Sequence, residues 1–279
     1  MLRPVANHRF SLVALLAMMA AAVGPARADG VDGFVVQDLH YGEVLFHFYK
    51  QDQFTALTHL VTARSQSRVA HHQDDAELLQ GGLLLSWGQH EEAGKIFERL
   101  LDTTEDLSVR NRTWFYLAKV RYQRGHLDAA QRAFESINAP LPPELEAERY
   151  NLQARLYIDT GRYADAVALL NSWSGDETWS AYANYNTGVA LVRMGELQAG
   201  AALLDRVGTM SAVDEETRSL RDQANVALGF SFLQAQLDGN ARPVLQRVRL
   251  NGPFSNKALL GVGWADSAGE QYKKALGAW

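Results

Sequence analysis

The sequence predicts an all-α chain assembled from one helical hairpin copied many times. Two observations carry that reading. Apolar residues recur at the three- and four-residue spacing of a single helix face, and no stretch alternates with the period of a strand. A small residue followed four positions later by a large one also returns at steps of 34 to 41 residues, just after the turn position, which glycine fills in four of the seven units.

The stretch from Trp114 to Pro142 shows the unit best. Trp114, Leu117, Ala118 and then Arg121 or Tyr122 mark one face of a first helix. Gly125 ends it, where a left-handed residue is needed and only glycine takes that conformation without steric cost. Ala130, Phe134 and Ile137 repeat the rhythm on a second helix. Small Ala118 and Ala130 let the two helices approach, Trp114 and Phe134 fill the space around them, and Pro142 closes the unit. One such hairpin has too little surface to bury its own apolar face, so it needs copies of itself.

With Gly125 as the ruler, the equivalent residues are Asp52, Gly88, Gly161, Gly195, Gln236 and Glu270. Five positions beyond each mark stand Leu57, Ala93, Ala130, Ala166, Gly200, Ala241 and Ala275. Nine beyond stand Val61, Phe97, Phe134, Leu170, Leu204, Leu245 and Trp279. The spacing predicts fourteen helices, over 38–50, 53–66, 74–87, 90–102, 109–124, 127–138, 144–159, 162–172, 178–193, 196–207, 215–234, 238–249, 255–268 and 271–279. Asp38 is the expected cap of the first. The loops carry Ala139-Pro140-Leu141-Pro142-Pro143 and Ser174-Gly175-Asp176. The longest step, around Gly208 to Arg221, predicts a lengthened helix whose acidic first turn suits the helix dipole.

Residues 1–28 read as a secretory signal peptide: Arg3, His8 and Arg9 first, an apolar run from Ser11 to Val23, then Ala26-Arg27-Ala28 with small residues where the peptidase cuts. Residues 29–37 form a short lead and 38–279 the repeat region. Export to the periplasm of a bacterium follows, with no transmembrane segment left after cleavage. The chain has no cysteine, so it forms no disulfide and carries no lipoprotein anchor. Losing Arg3, Arg9 and Arg27 takes the formal charge from -5 to -8. That balance argues against nucleic acid, which needs a basic stripe.

The order of Trp, Leu, Ala, Gly, Ala, Phe and Pro positions in residues 114–142 resembles the tetratricopeptide repeat family, whose unit is a helix-turn-helix of about 34 residues. The resemblance covers roughly residues 38 to 279. It implies a right-handed superhelical solenoid of about seven hairpins, with the last repeat incomplete at Trp279. A solenoid normally ends in a polar capping helix. The bare end is therefore expected to continue into further chain or, failing that, to dock, as in a dimer. The family also implies that first helices line a concave groove. On that basis Phe115, Lys119, Tyr122, Asn151, Arg155, Tyr182, Tyr185 and Arg193 are the candidate partner-binding residues. Rings and arginines of this kind form protein-binding hot spots. Phe115 and Asn151 stand ten residues before their turn glycines, and Lys119 and Arg155 six before. That departs from the family form that grips a free C-terminal carboxylate, so no such clamp is expected.

No nucleophile elbow, phosphate loop or dinucleotide fingerprint is present, and no catalytic residue, cofactor or metal is assigned. His71-His72 sits at a helix start beside Asp74 and Asp75. His40 and His47 share a face of one helix, but lie two turns apart, with Glu43 between them. The expectation is a non-enzymatic scaffold for a protein or peptide. Exported members of the family serve envelope assembly, secretion, pili or polysaccharide export. A glycan- or peptidoglycan-binding module is the alternative, and a solenoid appendage of a lytic transglycosylase is the third reading.

Overall fold

The computed structural model describes residues 36–173 and 177–279. The signal peptide, most of the lead and the Ser174-Gly175-Asp176 loop lie outside the described residues. Within them the chain is all-α, with no strand. The hairpins are α1 (Leu39–Tyr49) with α2 (Gln53–Ser65), α3 (Gln73–Ser86) with α4 (His90–Thr103), and α5 (Leu107–Gln123) with α6 (Leu127–Glu135). They continue with α7 (Pro143–Asp159) and α8 (Tyr163–Asn171), α9 (Glu177–Arg193) and α10 (Leu197–Gly208), and α11 (Glu215–Gln234) and α12 (Asp238–Leu245). The last is α13 (Ser255–Ala268) with α14 (Tyr272–Ala278). The chain divides into two compact units, the first ending at Arg149 and the second running from Tyr150 to Trp279.

All seven hairpins turn on the same backbone bond. The N–H of the third residue past the first helix donates to the carbonyl five residues back: Asp52 to His47, Gln89 to Leu84, His126 to Arg121, Arg162 to Tyr157, Glu196 to Leu191, Leu237 to Phe232 and Gln271 to Asp266. This closure requires a left-handed residue between helix and partner. Gly125 supplies it at φ +77, whereas Gln236 is held there at φ 58 against its own Cβ.

The first hairpin corrects the sequence register by one residue. Its left-handed residue is Gln51, not Asp52. Asp52 instead caps α2, its carboxylate accepting from the Thr55 N–H at 3.4 Å. The small and large core positions accordingly fall on Ala56 and Leu60, both fully buried, while Val61 is exposed. The shift restores alanine to the small position. Asp38, the expected cap of α1, makes no side-chain bond to that helix. Its carboxylate accepts instead from the backbone N–H groups of His71 and His72, at 2.8 and 3.2 Å.

In several hairpins the large residue of the second helix fills a slot on its own first helix. A Cβ at Gly81 would collide with the Phe97 ring, and one at Gly229 with Leu245. Burying such a side chain stabilises by about 1.5–3 kcal/mol. The lengthened helix expected after Gly208 is α11, of 20 residues, capped by a reciprocal pair between Asp214 and Thr217. Several second helices end early. α6 stops at Glu135, and the Asn138 N–H donates to Asn111 Oδ1 at 3.0 Å, taking the chain off the helix path. α12 contains Pro243 and stops at Leu245.

Candidate functional site

In the first unit the face expected to receive a partner is closed. Phe115 is fully buried, packed edge-on against Tyr116 at 5.3 Å, and Tyr116 stacks on Phe97 at 5.6 Å. Lys119 is 2% exposed. Its ammonium donates to the Glu148 carboxylate, four residues short of where α7 presents Leu152 to the core. The other Glu148 oxygen meets no partner among the described residues. Beside this pair, Arg112 Nη2 bonds Asp75 Oδ1 at 2.7 Å. Burial pushes the Tyr116 hydroxyl far up, and the Glu148 charge adds to the shift. Phe115 and Lys119 are therefore structural residues. The helix register gave their side of α5, but it did not show that the glutamate of the next first helix reaches over them. Tyr122 is half-buried at the end of α5.

The second unit keeps a more open face. Asn151 is buried, and its Oδ1 accepts from Asn186 Nδ2 at 3.3 Å, an amide pair that ties α7 to α9. One turn along α7, Arg155 is exposed. Its charge acts on the hydroxyl of Tyr185, which burial pushes up to about 12 while Arg155 and a hydrogen bond with Gln223 pull it down. Tyr182 donates its hydroxyl to the Glu216 carboxylate of α11 and lies 5.4 Å from the Trp179 ring. Burial first, and then that bond, hold the Tyr182 hydroxyl above the ordinary tyrosine range. Arg193 is exposed at the end of α9. Farther along, Phe230 of α11 meets Trp264 of α13 edge-on at 5.7 Å, with Lys257 Nζ 5.6 Å from the Phe230 ring. Trp264 is 41% exposed.

Each first helix of this unit thus places a ring or a long polar side chain against the next. The result is a rim of half-exposed tyrosine, phenylalanine and tryptophan edged by Arg155, Gln223 and Lys257. Such a rim can bury apolar side chains of a partner and bond its backbone, the combination from which hot spots are made. Trp264, Gln223 and Glu216 were missed from the sequence.

Two histidine groups have clear geometry. His71 Nδ1 pairs with Asp38 Oδ1 at 2.9 Å, whereas His72 stacks on Tyr41 and accepts from the Gln37 N–H. These neighbours therefore face different partners. In the first hairpin, Glu43 and His47 come together with His59, which the sequence reading did not connect with them. No helix among the described residues is long and apolar enough to cross a membrane.

The stacked hairpins with a common turn define a helical repeat protein of the tetratricopeptide-repeat fold. No protein-family model matches the sequence, and neither does any curated protein. Solved structures do match. A tetratricopeptide repeat protein from Parabacteroides merdae is 13% identical, with 86% of this chain and 91% of that one covered at a TM-score of 0.61. The Cut9–Hcn1 hetero-tetramer of APC/C is 14% identical over 88% of this chain and 47% of the other, at 0.57. BtubC from P. vanneervenii is 14% identical over 68% and 85%, at 0.50. At these identities the likeness is one of fold.

Proposed function

We propose that this protein is a non-enzymatic scaffold that holds a protein or peptide against the first-helix face of its second unit. The observation that carries the reading is the ring-bearing rim of α9, α11 and α13, with Trp264 at 41% exposure. In the first unit the corresponding residues Phe115 and Lys119 are consumed by packing and an internal ion pair. The Cut9–Hcn1 structure, in which a protein of similar fold forms a hetero-tetramer, agrees with a role in protein association. The proposed compartment is the periplasm, and the proposed setting is assembly of an envelope, secretion, pilus or polysaccharide-export system. The leader pattern of residues 1–28 supports export.

Peptides selected against the purified protein provide the test, with affinities measured by calorimetry. Replacing Trp264 or Tyr185 by alanine is expected to weaken a selected peptide by tenfold or more, the loss of one hot-spot residue. Replacing exposed Leu107, on the first unit, is expected to change nothing. Peptides that bind the Trp264→Ala and Tyr185→Ala variants as tightly as the parent would overturn the assignment of the face. Fusing residues 1–28 to a reporter active only outside the cytoplasm tests the compartment separately, and a silent reporter would remove the periplasmic reading.

A further inference from the structure

Glu43 and His47 of α1 and His59 of α2 form a cluster on the first hairpin, outside the face described above. Glu43 and His47 are four residues apart, so they project from one stripe of α1. His59 reaches back to them across the hairpin. One donor atom from each lies within 4.8 Å of the other two. Glu43 Oε1 stands 3.4 Å from His59 Nδ1, and the two imidazole centroids are 5.0 Å apart. His47 Nδ1 is sealed from solvent and meets no hydrogen-bond partner among the described residues. The Asp52 carboxylate is 3.7 Å from it, beyond hydrogen-bond reach. His40 Nδ1 lies 3.9 Å from the second Glu43 oxygen, and Arg68 stands behind His40 at 3.4 Å.

We propose that Glu43, His47 and His59 bind one divalent transition-metal ion of the zinc class, clamping α1 to α2. Two imidazoles and a carboxylate form a mixed nitrogen and oxygen set that suits zinc, whereas calcium and magnesium favour oxygen alone. A tetrahedral zinc with bonds of about 2.0–2.2 Å spaces its donors roughly 3.4 Å apart. The Glu43–His59 pair already has that separation. The remaining donors lie within 4.8 Å and so close by up to about 1.4 Å, within the reach of side-chain rotation at a partly exposed site. Helical ligands at i and i+4 are a spacing by which helices hold zinc. Water would complete the four-coordinate set.

An ordinary surface ion pair leaves the sealed His47 nitrogen unexplained, whereas a metal uses the ring. The test is a titration of chelator-stripped protein with zinc ion, followed by calorimetry and by competition with a chromophoric chelator. One equivalent is expected to bind with micromolar or tighter affinity, and zinc is expected to raise the thermal midpoint. His47→Gln, His59→Gln and the near-isosteric Glu43→Gln are each expected to lose affinity tenfold or more and to lose the rise in midpoint. His71→Gln, at an exposed histidine outside the cluster, is expected to bind as the parent does. X-ray absorption of the zinc-loaded protein is expected to show imidazole scattering. Absence of a stoichiometric site in the parent overturns the proposal. So does parent-like binding by both histidine variants, or an equal loss on His71→Gln.

Discussion

Cutting the Lys119–Glu148 pair tests whether the first unit is held shut from within. Lys119 is 2% exposed, and one Glu148 oxygen is already without a partner among the described residues. Lys119→Met would therefore leave a buried carboxylate with neither oxygen paired to a cation. Removing one member of a buried ion pair costs about 3–5 kcal/mol, most of it the burden of the stranded charge. Glu148→Leu strands the ammonium instead and is expected to cost a similar amount. The double variant strands neither, and should cost less than either single change. Hydrogen exchange of the α5 segment, read by mass spectrometry on the whole protein, reports the local opening. A loss of about 3 kcal/mol speeds exchange there on the order of a hundredfold. Strictly additive single and double effects would refute the reasoning, because they would mean the two groups do not meet.

Three further perturbations follow from the geometry. Gln236→Gly should stabilise the protein by up to about 1 kcal/mol, because relief of the left-handed strain at φ 58 exceeds the added freedom of the unfolded chain; a lower urea midpoint would contradict this. Phe97→Ala, which empties the slot over Gly81, should cost about 3–5 kcal/mol, read from the same midpoint. Burial raises the hydroxyls of Tyr41, Tyr116, Tyr182 and Tyr185, that of Tyr185 to about 12, against an unfolded value of roughly 10. Since the folded values lie above the unfolded one, this stabilisation is complete below about pH 10; the Tyr185 share is lost as pH rises through about 12, and the others at still higher pH. Urea midpoints that do not fall across that window, or tyrosinate absorbance rising in one step at pH 10, would contradict it.

The hairpin repeat was legible because its turn is a backbone requirement. Four of the seven turns use glycine, and the remaining three force Gln51, Gln236 and Glu270 into the same left-handed conformation. The register slip in the first hairpin has the same origin. Without a glycine to mark the turn, Asp52 looked equivalent, and only the paired burial of Ala56 and Leu60 shows that it is the cap. Asp38 was readable as an acidic residue at a helix start, but not as the acceptor for His71 and His72, which are 33 and 34 residues away. Contacts of that range have no signature in local periodicity.

The candidate face was only half legible, and side-chain length explains which half. Register places a residue on one side of a first helix, but the neighbouring first helix decides whether water reaches it. Next to Lys119, that neighbour offers Glu148, long enough to meet the ammonium and take it out of solvent. Asn151 meets a short amide from Asn186 and is buried too. Tyr182 and Tyr185 pack against the core between α9 and α11 and stay partly exposed, while their hydroxyls bond Glu216 and Gln223. Trp264 stays exposed over Phe230. A repeat position thus stays open to a partner only where the neighbouring helix leaves its side chain uncovered, and the sequence shows the position without showing the neighbour's reach.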